Sequence, residues 1–108
     1  MEYMKIEQAK AKAEILKALA NPIRLVVVDA LRRGDLCVSD LNKLVGVRQP
    51  TLSRHLIQLK KAGIVTERRL GARVLHHLET PCILKAFDCA LEVMKSHAHR
   101  RERVLKDT

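Results

Sequence analysis

Between Gln49 and Lys61 the chain carries side chains that can read or grip a polyanion: Gln49, Thr51, Ser53, Arg54, His55, Gln58 and Lys61. Amides, hydroxyls and guanidinium groups offer the donors and acceptors that pair with base edges, and the cations pair with phosphates. Leu52, Leu56 and Leu59 recur among them at i, i+4 and i+7, the spacing of one helical face. Wound at about 3.6 residues per turn, the segment puts Pro50, Arg54, Ile57 and Lys61 roughly opposite those leucines, with Thr51, Ser53 and Gln58 on the shoulders. Three leucines can pin such a helix to a core while its polar side lies in a DNA major groove. Ser53, Arg54 and His55 make no nucleophile and base pair, because residues i and i+2 do not face each other on a helix. His55 is expected to support a phosphate contact instead.

Thiols offer a second chemistry. Cys37, Cys82 and Cys89 are odd in number and have no CxxC spacing, which argues against a disulfide framework and for reduced thiols in a cytoplasmic protein. Cys37 stands where a helix N-cap residue is expected. A thiol there, in a basic chain, should be more acidic, more nucleophilic and a better ligand. The bland alternative is a small, half-buried residue that tolerates the position. Cys82 and Cys89 share one face of the last helix but lie about 10 Å apart along its axis, too far to hold one metal within that helix. They could meet a thiol from a second copy, or fill gaps as small hydrophobes, the reading favoured for Cys89 between Phe87 and Leu91. His76 and His77 alternate across a strand and share no site, and His97 and His99 fall in a basic tail.

The elements that must position these groups are legible in outline. A first helix runs from about residue 4 to 19, with Ile6, Ala9, Ala13, Leu16 and Ala20 near one stripe. Asn21-Pro22 caps and opens a second, with Ile23, Val26, Val27, Ala30 and Leu31 inward, closed by Gly34. A third starts around Cys37 to Ser39, buries Leu41 and Leu44 and stops at Gly46. The polar helix described above follows and ends at Gly63. Residues 64–69 and 73–78 alternate as strands around Leu70-Gly71-Ala72, a hairpin with Arg68, Arg69 and Arg73 near its turn. Thr80-Pro81 then starts a last helix, about 81–103, with Ile83, Phe87, Ala90, Leu91 and Met94 on its apolar face and a basic end that should fray. The order predicts a mostly α, winged helix-turn-helix fold (α-α-α-α-β-β-α), one domain over residues 1–108.

Composition narrows the partners. The chain has 108 residues and a formal net charge of +9, from 21 Lys and Arg against 12 Asp and Glu. That balance favours a polyanion. Tyr3 and Phe87 are the only aromatic residues, so stacking platforms for single strands are missing and duplex DNA is the expected partner. No apolar run reaches membrane-spanning length, so no membrane partner is expected. A domain this small cannot cover the apolar stripes of both terminal helices, which predicts a homodimer through them. Two-fold symmetry would place two recognition helices about one turn of DNA apart, roughly 34 Å.

Three segments together resemble the ArsR/SmtB family of bacterial metal-responsive repressors. Leu19-Ala20-Asn21-Pro22-Ile23-Arg24-Leu25 is similar to the family's approach into the second helix. Gly34-Asp35-Leu36-Cys37-Val38-Ser39-Asp40-Leu41 resembles its metal box, and Gln49 to Leu56 with Leu59, Ala62, Gly63 and Ile64 resembles its recognition helix. The resemblance covers about residues 16–79 and implies a dimer that sits on a two-fold operator and leaves it when an inducer binds. It implies that Gln49, Thr51, Ser53 and Arg54 face bases and backbone while the wing arginines reach flanking phosphates or the minor groove. The family box supplies two thiolates two residues apart, but Ser39 holds the second position here, and a hydroxyl is a poor ligand for a thiophilic metal. The family's zinc pattern on the last helix is matched in its second half by His99 and Glu102, while its first half falls on Ala86 and Asp88.

These readings give a repressor, not an enzyme, since no glycine-rich phosphate loop or paired-carboxylate constellation is present. Its expected inducer is a thiophilic metal or metalloid such as As(III), held by Cys37 and Cys82, with Cys89, His99 and Glu102 as weaker candidates. A reactive sulfur species acting on the cysteines, or a metabolite such as S-adenosylhomocysteine, is the alternative within the same architecture. A ligand-independent architectural DNA-binding protein is the alternative outside it, and it would show phosphate-dominated binding with little sequence preference.

Overall fold

The computed structural model describes residues 3–106. Its elements are α1 (Ile6–Leu19), α2 (Pro22–Arg32), α3 (Val38–Val45), α4 (Gln49–Lys61), β1 (Val65–Leu70), β2 (Arg73–Leu78) and α5 (Ile83–Lys106). That is the expected winged helix-turn-helix, with a terminal helix at each end.

Local chemistry sets the element boundaries. Asn21 Oδ1 accepts from the backbone N–H groups of Ile23 (2.9 Å) and Arg24 (3.3 Å), satisfying two donors that the first turn of α2 would otherwise leave unpaired. Pro22, with no N–H to lose, occupies the first helical position. Gly46 ends α3 in the left-handed region at φ 73°, a conformation that costs other residues about 1 kcal/mol. The turn it makes leads into α4.

The core is one cluster: Leu19 of α1, Val27, Val28 and Leu31 of α2, Leu41 of α3, Leu52, Leu56 and Leu59 of α4, then Ile64, Val65 and Leu78. Two sequence expectations need correction. In α2 the inward strip is Val27, Val28 and Leu31, and Val26 is exposed, because it lies well over a quarter turn from that strip. In α3, Leu44 is 62% exposed. The short helix turns Val38, Leu41 and Val45 inward, leaving Leu44 about a quarter turn away.

The hairpin pairs β1 with β2 antiparallel, from Val65 opposite Leu78 to Leu70 opposite Arg73. A contact not anticipated from the sequence ties it to the body. On the free edge of β2, His76 N–H donates to the Leu36 carbonyl (2.7 Å) and Leu36 N–H to the His76 carbonyl (3.2 Å). The segment leading into α3 and the wing therefore share backbone bonds.

At the ends, the structure departs from expectation in detail. α5 starts at Ile83, after a turn at Pro81 and Cys82, and the basic stretch expected to fray is helical through Lys106. Most of the stripe assigned to α1 stays in solvent: Ile6 and Leu16 are both more than 60% exposed and Ala9 is half-buried, while Leu19 alone in that helix is fully buried. Leu91, Val93 and Met94 of α5 are exposed as well. The side chains of Ile83 and Phe87 lie outside the described residues. No helix among the described residues is long and apolar enough to cross a membrane.

Candidate nucleic-acid interface and thiol cluster

The fold holds α4 by the three predicted leucines: Leu52 and Leu59 are fully buried and Leu56 nearly so. On the remaining surface of the helix Gln49, Arg54, Gln58 and Lys61 are exposed, and Thr51, Ser53 and His55 are half-buried. Ile57 is exposed on the same side. The polar residues singled out from the sequence therefore share one continuous outer face.

His55 is not a free side chain. Arg24 of α2 donates its Nε–H to His55 Nδ1 at 3.1 Å and its Nη1–H to the Ala18 carbonyl at 3.1 Å. Burial lowers the His55 pKa below the ordinary histidine value, and the positive charges of Arg24 and Arg54 lower it further. Sequence reasoning missed Arg24. The available signal was a cation in the first turn of an apolar helix, where the helix dipole disfavours positive charge.

In the wing, Arg68, Arg69 and Arg73 are exposed, but two of the three are tethered. Arg68 lies 3.0 Å from His77 Nε2 and 3.8 Å from Asp35, and His77 Nδ1 is 2.7 Å from Asp35 Oδ1. Arg73 reaches back to α3, with its Nη2 3.7 Å from Asp40 Oδ2 and 3.6 Å from Cys37 Sγ. As anticipated from strand alternation, the two histidines separate: His77 is half-buried, and His76 is buried with its Nδ1 unpartnered among the described residues. Burial, with some help from Lys60, lowers the His76 pKa, against a smaller opposing pull from Glu67.

Cys37 is the N-cap of α3, as expected, with its Sγ near the Asp40 backbone N–H but without a well-formed cap hydrogen bond. The Sγ atom sits 3.1 Å from Ser39 Oγ and 3.0 Å from Asp40 Oδ2. The Ser39 hydroxyl lowers the thiol pKa; the Asp40 carboxylate opposes it, while the Asp40 backbone N–H and Arg73 act in the lowering direction. Ser39, which weakens the family's two-thiolate box, is thus the largest influence favouring the Cys37 thiolate.

The other candidate ligands are scattered. Cys82 and Cys89 are exposed on the α5 side of the molecule, so within one protomer Cys89 does not fill a core gap as expected. Leu91, Val93 and Met94, further along the same helix, are exposed as well. His99 and Glu102 are exposed on α5. Among the described residues no three His, Cys, Asp or Glu side chains cluster with metal-holding geometry. Cys37 and Asp40 are one soft and one hard donor, an incomplete set for a thiophilic ion within a single protomer.

Comparison with known proteins agrees with this geometry. The family model described as "Bacterial regulatory protein, arsR family" matches residues 21–67. The HTH-type transcriptional repressor SmtB of Mycobacterium tuberculosis is 46% identical over 68 residues, 63% of this chain and 50% of the relative. The chain thus spans about half the length of that relative. An uncharacterized HTH-type transcriptional regulator of the same species is 33% identical over 99 residues, 91% of this chain and 87% of the relative. Among solved structures, a homodimeric winged helix-turn-helix DNA-binding domain from Mycobacterium bovis, described as a possible ArsR-family regulator, superposes with TM-score 0.74 at 28% identity. The match covers 93% of each chain.

Proposed function

This chain belongs to the bacterial arsR family of regulatory proteins, and on that premise we propose that it is a dimeric, sequence-specific transcriptional repressor released from its operator by a thiol-directed inducer. The observation that carries the repressor reading is the outer face of α4, where Arg54, Gln58 and Lys61 project from a helix anchored by three buried leucines. Gln49, Thr51, Ser53, Arg54 and Gln58 read base edges, a good bidentate contact giving about 1–3 kcal/mol of discrimination. His55, Lys61, Arg68, Arg69 and Arg73 meet phosphates or the minor groove, which sets register and salt dependence. The exposed aliphatic residues of α1 and α5 support dimerisation through the terminal helices.

For the inducer, the reading rests on Cys37. A thiophilic metal or metalloid such as arsenite would take its thiolate together with Cys82 or Cys89 from α5 of a second copy, since one protomer offers a single thiol beside α3. Capture of the thiolate removes one partner of Arg73, and so acts on a wing residue that the DNA-bound state uses. A second reading has its own support. A lone, half-exposed thiol held towards ionisation by Ser39 and Arg73 suits attack on a reactive sulfur species, which needs one nucleophile rather than three ligands.

The test is fluorescence anisotropy of a labelled duplex from the gene's own upstream region, with reduced protein. Release by near-stoichiometric arsenite, lost in Cys37→Ser, is the expected result. Release by a polysulfide and not by arsenite selects the second reading. Binding that neither inducer releases, or release that persists unchanged in Cys37→Ser, sinks the thiol-directed inducer at Cys37.

A further inference from the structure

Beside α4 lies an open recess lined by Arg24, Thr51, Arg54, His55, Ile57 and Gln58. A neighbouring recess shares Arg24 and Gln58 and adds Lys17 and Lys61, with Glu14 as its acidic group. Two guanidinium groups, two hydrogen-bonding side chains and one imidazole thus meet on the flank of the recognition helix, at its contact with α2. The arginine Nε carries one hydrogen, and Arg24 directs it at His55 Nδ1. Nδ1 is therefore an acceptor, and a neutral ring must carry its proton on Nε2. Protonating the ring would break the Arg24 bond and set a second cation against it.

We propose that Arg24 and His55 form a fixed phosphate-binding pair, in which Arg24 holds His55 as the Nε2–H tautomer so that it donates to a backbone phosphate oxygen of duplex DNA. The occupant follows from the charge lining the recess, where Arg24 and Arg54 face it from two helices. This assignment rests on the DNA-binding reading and deepens it by naming Arg24, on α2, as a positioning residue. The groups facing His55 agree in sign: Arg24 from α2, Arg54 on its own helix, and Lys17 and Lys61 nearby against Glu14 alone. Burial and the positive charges of Arg24 and Arg54 lower the His55 pKa, in the direction that favours the neutral ring the Arg24 bond requires. A neutral donor adds affinity without displacing a counterion, whereas each cation that meets a phosphate steepens the salt dependence.

Binding of a labelled duplex from the gene's own upstream region is followed against salt at pH 8 and pH 6, with a scrambled duplex alongside. His55→Phe should weaken binding about tenfold with the slope of log K against log salt unchanged, and His55→Gln, which keeps a donor, should recover part of the loss. Lys61→Gln, which removes a cation assigned to phosphate, should lower that slope by about one. Arg24→Gln frees Nδ1, so its affinity should rise as pH falls from 8 to 6, a dependence the wild type lacks and the double variant with His55→Phe loses. Nitrogen chemical shifts of His55 in the free wild-type protein should report the Nε2–H tautomer at pH 7, a readout independent of any variant's folding.

An Nδ1–H tautomer, an unchanged affinity in His55→Phe, or a wild-type slope that steepens by about one between pH 8 and 6 would each overturn the assignment. Equal binding of the scrambled duplex would overturn the repressor reading alone, because a phosphate contact is measurable on any duplex.

Discussion

The stretch from Leu19 to Leu78 and the two terminal helices use aliphatic residues in opposite ways. In the first, leucines and valines from four helices and the hairpin close on one another and are shielded from water in a single protomer. In the second, Ile6 and Leu16 of α1 and Leu91, Val93 and Met94 of α5 remain in solvent. The first region is complete as folded and presents a polar, cationic face. The second leaves these described aliphatic residues uncovered within one protomer, as expected of an interaction surface and in keeping with the dimer proposed above. Stability in this molecule should therefore divide: substitutions in the central stretch should act on folding, and those in the arms on association.

The largest expected effect probes the first half of that contrast. Leu56→Ala removes a buried anchor of α4 and should cost about 2–5 kcal/mol of folding stability, read as a lowered urea midpoint. Leu91→Ala should change the stability of the monomer by no more than about 0.5 kcal/mol. A large fall for Leu91→Ala at a concentration where the protein is monomeric would break the contrast.

Next in size is charge placed in the arms. Leu91→Glu with Met94→Lys should shift the protein to monomer in sedimentation and weaken operator binding more than tenfold, because two half-sites are no longer engaged together. The far-ultraviolet spectrum of the central fold should be unchanged. Smaller again is the helix cap: Asn21→Ala should lower stability by about 1 kcal/mol and leave the dimerisation constant alone.

The smallest effect is a pH dependence confined to the central stretch. His55 and His76 have folded-state pKa values lowered by burial, against about 6.5 when unfolded. Above that value both states are neutral and these groups add no slope. Below it the unfolded chain takes up protons that the folded one refuses, so stability falls as pH drops from about 7 to 5. His76→Phe should flatten that decline in thermal melts; an unchanged or steeper decline would show that His76 is not the group resisting protonation.

Much of this was legible in the residues. The α4 stripe is regular enough to give both the buried leucines and the polar face, and Asn21-Pro22 and Gly46 mark helix ends by chemistry that needs no tertiary information. What failed was long-range. Leu44 and Val26 are apolar residues at plausible helical spacing, and only the angle at which α2 and α3 meet decides that they stay outside. The Leu36 and His76 bridge, the Arg24 and His55 pair and the reach of Arg73 to Cys37 join residues 40, 31 and 36 positions apart. No local pattern encodes such contacts. Cys37 was readable as an N-cap thiol within reach of Asp40 three residues on, but its tie to Arg73 of the wing appears only once the hairpin is folded against α3.

The most direct test of the account is the number of protomers on one duplex. Sedimentation equilibrium of the protein with a labelled duplex from its own upstream region should give two protomers per duplex, reduced together with affinity in the Leu91→Glu, Met94→Lys variant. A single protomer bound with full specificity, indifferent to those substitutions, would contradict it, because the exposed arms would then have no part in holding the recognition helices on DNA.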